Sequence, residues 1–484
     1  MKRNITDAVP DLTQTPELTE RGRWALASLA LSMLLASLGV SIANIALPTL
    51  VEVFSASFQQ VQWVIIGYLL AITVMIVSVG RLGDILGHRR VLLAGISLFT
   101  LASIMCGTAS TLGLLILARA LQGLGAAILM ALTLALVREI TPKDRTGSAM
   151  GLLGTMSAIG TALGPSLGGL LLAGPGWRAI FLILVPLGML NILLAYRYLP
   201  ASGRKGGAER KGFDTVGTLL LGLTLATYAL AVTAGGGDFN SLNLALLLAA
   251  TLVASLFVLA QTRVASPLIP MAALRNVVLS TSLALNVLVA NVMMATLVVG
   301  PFYLSRALGL SDLIVGIVMS MGPIISALSG VPAGHLVDRL GAPFMAIAGL
   351  VAMAAGAFGL SALPAIFGVA GYLAAMAILT PGYQLFQAAN NTAVMLEVSA
   401  DQRGVISGLL SLSRNIGLIT GAAVMGALFA FASMTTDITT ASAQAIAGGM
   451  QVTFAVAGLL MVVALGIGAI SRVLVKRASV RRHD

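Results

Sequence analysis

Arg119 and Arg414 each stand inside a long apolar run, in Leu-Ala-Arg119-Ala-Leu-Gln122-Gly and in Ser-Arg414-Asn-Ile-Gly417. A guanidinium at hydrocarbon depth costs at least ~2.5 kcal/mol on insertion scales, so it is kept only where it meets a cavity, water or a partner. The chemistry open to it is recognition of a solute or relay of a proton. The plainer alternative is a structural bond to a carbonyl or helix end. Arg119, Gln122, Ala126 and Thr133 fall near one helical face, which predicts a cavity-facing stripe. Amides form a second stripe, with Gln384, Gln387 and Asn391 at i, i+3, i+7 and Asn390 beside them. Asn44, Tyr68, Asn286 and Asn291 lie in other apolar runs. A buried amide costs free energy unless it is paired or wet, so these residues either touch solute and water or tie helices together. Met293, Met294, Met319 and Met321 offer adaptable apolar surface, though ordinary packing accounts for each of them.

Other chemistry is missing. Cys106 is the single cysteine, and the three histidines, His88, His335 and His483, sit at run edges or in the tail. No metal cluster can be built from cysteine. No Gly-Lys pair occurs, which excludes a Walker A phosphate loop. No nucleophile–base–acid set is visible, so the expectation is a protein that is not an enzyme and needs no metal or organic cofactor.

The elements that carry these residues are about fourteen apolar runs, at 24–47, 60–80, 90–109, 112–137, 148–172, 177–198, 214–234, 241–260, 277–305, 312–336, 343–361, 364–395, 403–430 and 450–475. Hydrophobic residues make up 58% of the 484-residue chain and charged residues 9%. Runs of roughly 20 apolar residues match the ~30 Å hydrocarbon core of a bilayer, where helices satisfy their own backbone. The fold class is therefore an all-α polytopic membrane protein. Of the 28 Lys and Arg, only Arg178 and Arg306 fall in outer loops when the N-terminus is cytoplasmic. The positive-inside rule then places both termini inside. The net charge of +11 reads as topology rather than as a nucleic-acid surface, because the basic residues scatter over many loops.

Three echoes divide the chain. Gly80-Arg-Leu-Gly83-Asp84-Ile-Leu-Gly87 is repeated as Gly334-His-Leu-Val-Asp338-Arg339-Leu-Gly341. Glu139…Arg145 returns as Glu397…Arg403, and Gly160/Gly164 as Gly417/Gly421. The nearly equal offsets imply two homologous six-helix halves, a plan that places a transport site at the interface of the halves near the midplane. The domains are then 1–23 (N-terminal tail), 24–198 (first half), 199–213 (cytoplasmic linker), 214–260 (two inserted helices), 261–276 (cytoplasmic loop), 277–475 (second half) and 476–484 (C-terminal tail). The first motif reads as a loop, continued by His88, Arg89 and Arg90. Its glycines permit a tight turn, and Asp84 could latch onto a helix end or an arginine; a plain solvated turn is the alternative. The fifth run carries Gly160, Gly164, Pro165, Gly168 and Gly169. Glycines at i, i+4, i+8 form a smooth face for close helix packing, and Pro165 implies a kink.

On these residues the chain resembles the major facilitator superfamily, in particular its fourteen-helix drug:proton antiporter branch. The Gly80–Arg90 stretch is similar to the superfamily's G-x-L-a-D-r-x-G-r-k motif, Arg119-Ala-Leu-Gln122-Gly to the branch's helix 4 R-x-x-Q-G, and the Gly160–Gly169 string to the exporters' helix 5 motif. Gln62-Trp63, Tyr68-Leu-Leu, Trp177-Arg178-x-Ile-Phe181 and Arg414-Asn-Ile-Gly417 also match. The resemblance implies the major facilitator fold with 14 transmembrane helices, and a secondary exporter of small amphipathic compounds. It further implies alternating access driven by the proton gradient, in a bacterial inner membrane. It departs at one position. The branch reads L-D-x-T-I-V-N-V-A-L-P in helix 1, and this chain has Leu38-Gly39-Val-Ser41-Ile-Ala-Asn44, so the aspartate linked to coupling is Gly39. None of the 17 acidic residues lies deep in a run. A cation finds no fixed counter-charge, so neutral or anionic amphiphiles are the expected substrates. Two further readings stand beside this one: export of an anionic or lipid-like metabolite with atypical coupling through Arg119 and Arg414, and a non-transporting scaffold or sensor on the same fold. The expected partners are the bilayer and a small-molecule substrate. No residue pattern speaks for or against a periplasmic adaptor.

Overall fold

The computed structural model describes residues 20–141, 146–200, 214–234, 240–264, 276–397, 403–433 and 441–480. Most of the linker at 199–213 and of the loop at 261–276, together with most of both tails, lies outside the described residues. Among the described residues, 13 helices are long and apolar enough to cross a bilayer. One of them, Ala342–Glu397, is two helices meeting at Gly368, whose φ of 55° and ψ of −129° lie outside any helix. Fourteen helices result: α1 (Glu20–Phe54), α2 (Phe58–Leu86), α3 (His88–Gly107), α4 (Leu112–Ile140), α5 (Thr146–Ala173), α6 (Ala179–Tyr198), α7 (Thr215–Thr233), α8 (Ser241–Arg263), α9 (Val277–Ala307), α10 (Asp312–Leu340), α11 (342–367), α12 (369–397), α13 (Arg403–Ala432) and α14 (Ala443–Val480).

Local chemistry sets the ends. Ser57 and Gln60 form a reciprocal capping box at the start of α2, and Asn240 and Asn243 do the same for α8, supplying partners for N–H groups the first turn leaves free. Among the described residues four helices break internally, α6 at a turn on Ile183. A 3₁₀ turn at Asn44–Ala46 interrupts α1, and π turns occupy Tyr303–Ala307 in α9 and Gly421–Met425 in α13.

Two boundaries correct the sequence reading. The break between the eleventh and twelfth spans falls at Gly368 rather than at 361–364, because α11 continues helically through Pro364. The Gly80–Gly87 motif is not a loop: α2 runs through Leu86, and the chain turns at Gly87 alone. Its echo behaves alike, with α10 running to Leu340 and turning at Gly341. Both glycines have positive φ, 95° and 85°, a conformation glycine adopts without a Cβ penalty.

Within the first half α4 is central, taking α1, α2 and α3 around it, while α1 also packs on α5 and α6. In the second half α9 packs on α13 and α14, and α10 on the α11–α12 pair. The halves meet along two seams, α5 against α10 and α2 against α13. The inserted hairpin α7–α8 lies against α2 and reaches α13. Trp63 Nε1 donates to Thr233 Oγ1 at 3.0 Å and Ser78 pairs with Thr218 at 2.8 Å, pinning α7 to α2 near both of its ends.

Candidate functional site: two polar knots and a one-ended seam

Arg119 is fully buried inside the first half. Its Nε donates to Val64 O at 3.0 Å, and one η nitrogen donates to Gly39 O at 3.0 Å and to Gln122 Oε1 at 2.6 Å. Gln122 Nε2 passes the chain to Ser103 Oγ at 2.8 Å, and Ser103 Oγ donates to Phe99 O at 2.7 Å. The guanidinium carbon lies 4.0 Å from the Tyr68 ring centroid and 5.8 Å from that of Phe181. Four helices thus hold one cation with carbonyls, an amide and ring faces, each of which favours the charged form. The other η nitrogen is buried without a hydrogen-bond partner. Among the described residues no carboxylate reaches it. The stripe of Arg119 and Gln122 therefore does not line an open cleft. It is the interior of the bundle, because the bare Cα of Gly39 lets Tyr68 and Arg119 close over that point of α1. Tyr68 Oη donates to Ala36 O at 3.0 Å and lies 2.9 Å from where a Cβ on Gly39 would sit.

The second half has a smaller knot. Asn286 Nδ2 donates to Leu410 O at 2.8 Å and to Ser413 Oγ at 2.9 Å, fastening α9 to α13. Its Oδ1 is buried without a partner. Asn390 Nδ2 donates to Ser282 O at 3.4 Å, and Gln384 Nε2 donates to Ser326 Oγ on α10. Gln387 Nε2 donates to Tyr383 Oη at 3.1 Å. The α12 stripe thus ties helices through Gln384 and Asn390, while the Gln387 bond stays within α12. Its far member, Asn391, is exposed. Asn44 gives its Nδ2 to Val40 O at 3.4 Å. Asn44 Oδ1, Asn291 Oδ1 and Gln387 Oε1 are buried without partners. These are acceptors that a donor-bearing solute or water would satisfy. The structure does not bring the predicted residues into one cluster: Tyr68, Arg119 and Gln122 form one group, while Asn286, Asn390 and Arg414 gather around α9 and α13.

The seams between the halves are tightly packed at one end. At the end opposite Gly87 and Gly341, α5 crosses α10 at glycine: a Cβ on Gly169 would lie 2.5 Å from Asp312 O and 3.0 Å from Gly316 Cα. Phe58, Phe302 and Phe429 stack edge-on, with centroids 4.8 Å apart for Phe58–Phe302 and 5.7 Å for Phe58–Phe429. Gln62, fully buried, fills the space left by Gly426 of α13, and neither of its amide atoms has a hydrogen-bond partner. Above them Arg306 pairs with Glu52 across the halves. At the motif end glycines of the same four helices face open space. A Cβ on Gly80, Gly151, Gly154, Gly330, Gly334 or Gly408 would meet nothing within 4 Å.

The residues expected to gate lie at that end. The side chain of Asp84 is outside the described residues. Asp338, Arg339 and Arg90 are exposed. Arg89 donates to Tyr196 O and lies 5.6 Å over the Tyr196 ring, holding α3 to α6 within one half. Gly83 makes room for the His88 ring, and His88 Nδ1 lies 2.8 Å from Glu139. Glycines of the packing motif serve the first half: Gly160 faces Leu34 O, Gly164 faces Ser41 and Gly168 faces Ile45. Only Gly169, with the Pro165 carbonyl, touches α10. Gly417 and Gly421 face α9 in the same way.

Sequence reasoning missed Glu52, Arg306, Gln62 and the phenylalanine triad. Glu52 and Arg306 were legible as lone opposite charges flanking spans on the same side. The phenylalanines carried no signal, since each sits in an ordinary apolar run.

The Major Facilitator Superfamily model matches residues 29–422. The chain is 30% identical over 457 residues to the multidrug efflux pump LfrA of Mycolicibacterium smegmatis, covering 92% of this chain and 90% of that protein. It is 29% identical over 409 residues to the riboflavin transporter RibZ of Clostridioides difficile, covering 84% and 88%. The solved structure of a bacterial homologue of the human lysosomal transporter Spinster, inward-facing and unoccupied, superposes with a TM-score of 0.69 at 15% identity, covering 95% of this chain and 98% of that one.

Proposed function

This chain belongs to the Major Facilitator Superfamily, and on that premise we propose that it is a multidrug-type exporter of small amphipathic compounds working by alternating access. One observation carries the reading. The two halves are packed together at one end by the Gly169–Gly316 crossing, the phenylalanine triad and the Glu52–Arg306 pair, whereas at the other end glycines of the same helices face open space. A seam closed at one end is one of two states that a rocking pair of halves needs.

The motif end is the cytoplasmic end in this reading, which the distribution of Lys and Arg supports, with both termini on that side of a bacterial inner membrane. Amphipathic solutes then enter the cleft from the cytoplasm or its leaflet. Efflux of this kind would confer antibiotic resistance. The proton gradient supplies the drive. The coupling is atypical, because Gly39 leaves Arg119 without the acid its relatives' motif provides. Glu52 and Asp312, beside Arg306 at the sealed end, are the carboxylates placed to respond to external protons.

The test is transport by purified protein in proteoliposomes across a panel of neutral, anionic and cationic amphiphiles, with and without an imposed pH gradient. Gradient-stimulated movement of any of them supports the exporter. No movement of any compound by folded protein leaves the scaffold or sensor reading.

A further inference from the structure

Arg119 and Arg414 occupy opposite situations. Three hydrogen bonds and two ring faces occupy Arg119. Arg414 on α13 is partly exposed, and among the described residues it makes no hydrogen bond, ion pair or ring contact, while its Nε is buried. It lies six residues along α13 from Gly408, where the membrane-crossing stretch begins, about 9 Å at the helical rise and so inside a ~30 Å core. Leaving a guanidinium without a counter-charge at that depth is unfavourable, and such a residue marks a solute path by default.

The base of the side chain is held in place. Asn286 grips the preceding turn through Leu410 O and Ser413 Oγ, and Ser413 Oγ itself donates to Leu410 O at 2.9 Å. That same amide leaves its Oδ1 buried and unpartnered beside the turn that carries Arg414. The arrangement leaves a free acceptor next to the turn that precedes Arg414. α13 is one of the four seam helices, and Gly408, six residues before Arg414, faces open space. Among the described residues the acidic side chains Glu20, Glu52, Glu139, Asp214, Asp312 and Asp338 all sit at helix ends, so none competes for the fork.

We propose that Arg414 is the oxyanion-binding residue of the cleft, and that the preferred substrates are amphiphiles carrying a single carboxylate, sulfonate or phosphate. Asn286 Oδ1 accepts from a hydrogen-bond donor on the same compound. A planar guanidinium matches such a group with two parallel hydrogen bonds, and the pairing neutralises the charge that the apo protein leaves exposed. This assignment rests on the exporter reading and separates the roles of the two arginines: Arg119 holds the first half together, and Arg414 recognises.

The experiment uses two probes of one skeleton, 8-anilinonaphthalene-1-sulfonate and the uncharged N-phenyl-1-naphthylamine, with full-length protein in lipid nanodiscs and empty discs as blank. The readout is the ratio of their affinities, which a defect in folding, lowering both, does not move. The wild type should favour the sulfonate by roughly tenfold to a hundredfold, the worth of a hydrogen bond to a charged group. Arg414→Gln should bring the ratio near one. Arg414→Met, which suits the membrane better, should do the same and serves if the glutamine variant fails to fold. A wild-type ratio near one, or a ratio that neither variant changes, overturns the assignment. Proteoliposomes separate the two claims. A sulfonate bound with preference but never moved refutes the exporter and leaves the site, whereas movement without preference refutes the site and leaves the exporter.

Discussion

Restoring an acid at position 39 tests whether Tyr68 and Arg119 have closed over the space that an aspartate would fill. An Asp Cβ there would lie 2.9 Å from Tyr68 Oη and 3.2 Å from two ring carbons of Phe99. Overpacking of that kind costs about 1–3 kcal/mol. Moving the hydroxyl aside also breaks its bond to Ala36 O, worth about 0.5–1.5 kcal/mol. Against this stands the attraction of a carboxylate for Arg119, about 4 kcal/mol at 4 Å in an effective dielectric of 20. Desolvation of the new charge, several kcal/mol per ion, offsets most or all of that gain. The packing loss therefore decides the sign, and Gly39→Asp should destabilise the protein by about 1–4 kcal/mol. In a Tyr68→Phe background the hydroxyl is gone, so the same aspartate should cost about 1–2 kcal/mol less. The assay is a double-mutant cycle of thermal unfolding in nanodiscs, followed by substrate-triggered proton uptake in proteoliposomes. The double variant should be more stable than Gly39→Asp alone and should take up more protons per substrate than the wild type. A coupling energy of zero would refute the claim that the Tyr68 hydroxyl stands in the acid's place. Unchanged proton uptake would refute the link between position 39 and coupling.

Three further outcomes follow from the same geometry. Arg119→Ala removes three hydrogen bonds made by a buried cation, to Val64 O, Gly39 O and Gln122 Oε1, each worth about 1.5–3 kcal/mol for a charged donor; it should lower thermal stability and yield of folded protein, and an unchanged unfolding midpoint would show that the cation is not a clamp. Gly169→Leu thrusts a side chain into Asp312 O and the Gly316 backbone, so it should pry open the sealed end and expose cysteines placed near Phe58 to impermeant thiol reagents from outside; protection equal to that of wild type would refute the glycine crossing as the seal. Glu52→Gln removes one half of a solvent-exposed ion pair, so stability should fall by less than about 1 kcal/mol. The same reagents should nonetheless label the sealed end up to about fivefold faster, and identical rates would show that the pair does not latch the halves.

Long apolar runs determined the number of helices and their approximate positions, because a bilayer admits few other structures for such segments. The paired motifs around Asp84 and Asp338 pointed to the two halves, and the bare spacing of Gly160, Gly164 and Gly168 marked a smooth face on α5, which lies against Leu34, Ser41 and Ile45 of α1. None of this told where Arg119 points. A helical face on a sequence ring looks the same whether it meets water or another helix, and only the approach of Val64 O, Gly39 O and the Tyr68 ring made it interior. The loop expected at Gly80 became helix because seven residues of permissive sequence can continue α2, and the turn needs positive φ only at Gly87. The seal formed by Phe58, Phe302, Phe429, Gln62 and the Glu52–Arg306 pair was illegible because its members come from separate helices more than 100 residues apart across the halves. Local periodicity reports what one helix offers. Which helix answers it, and whether an arginine such as Arg414 is left unanswered, is decided only when the halves pack.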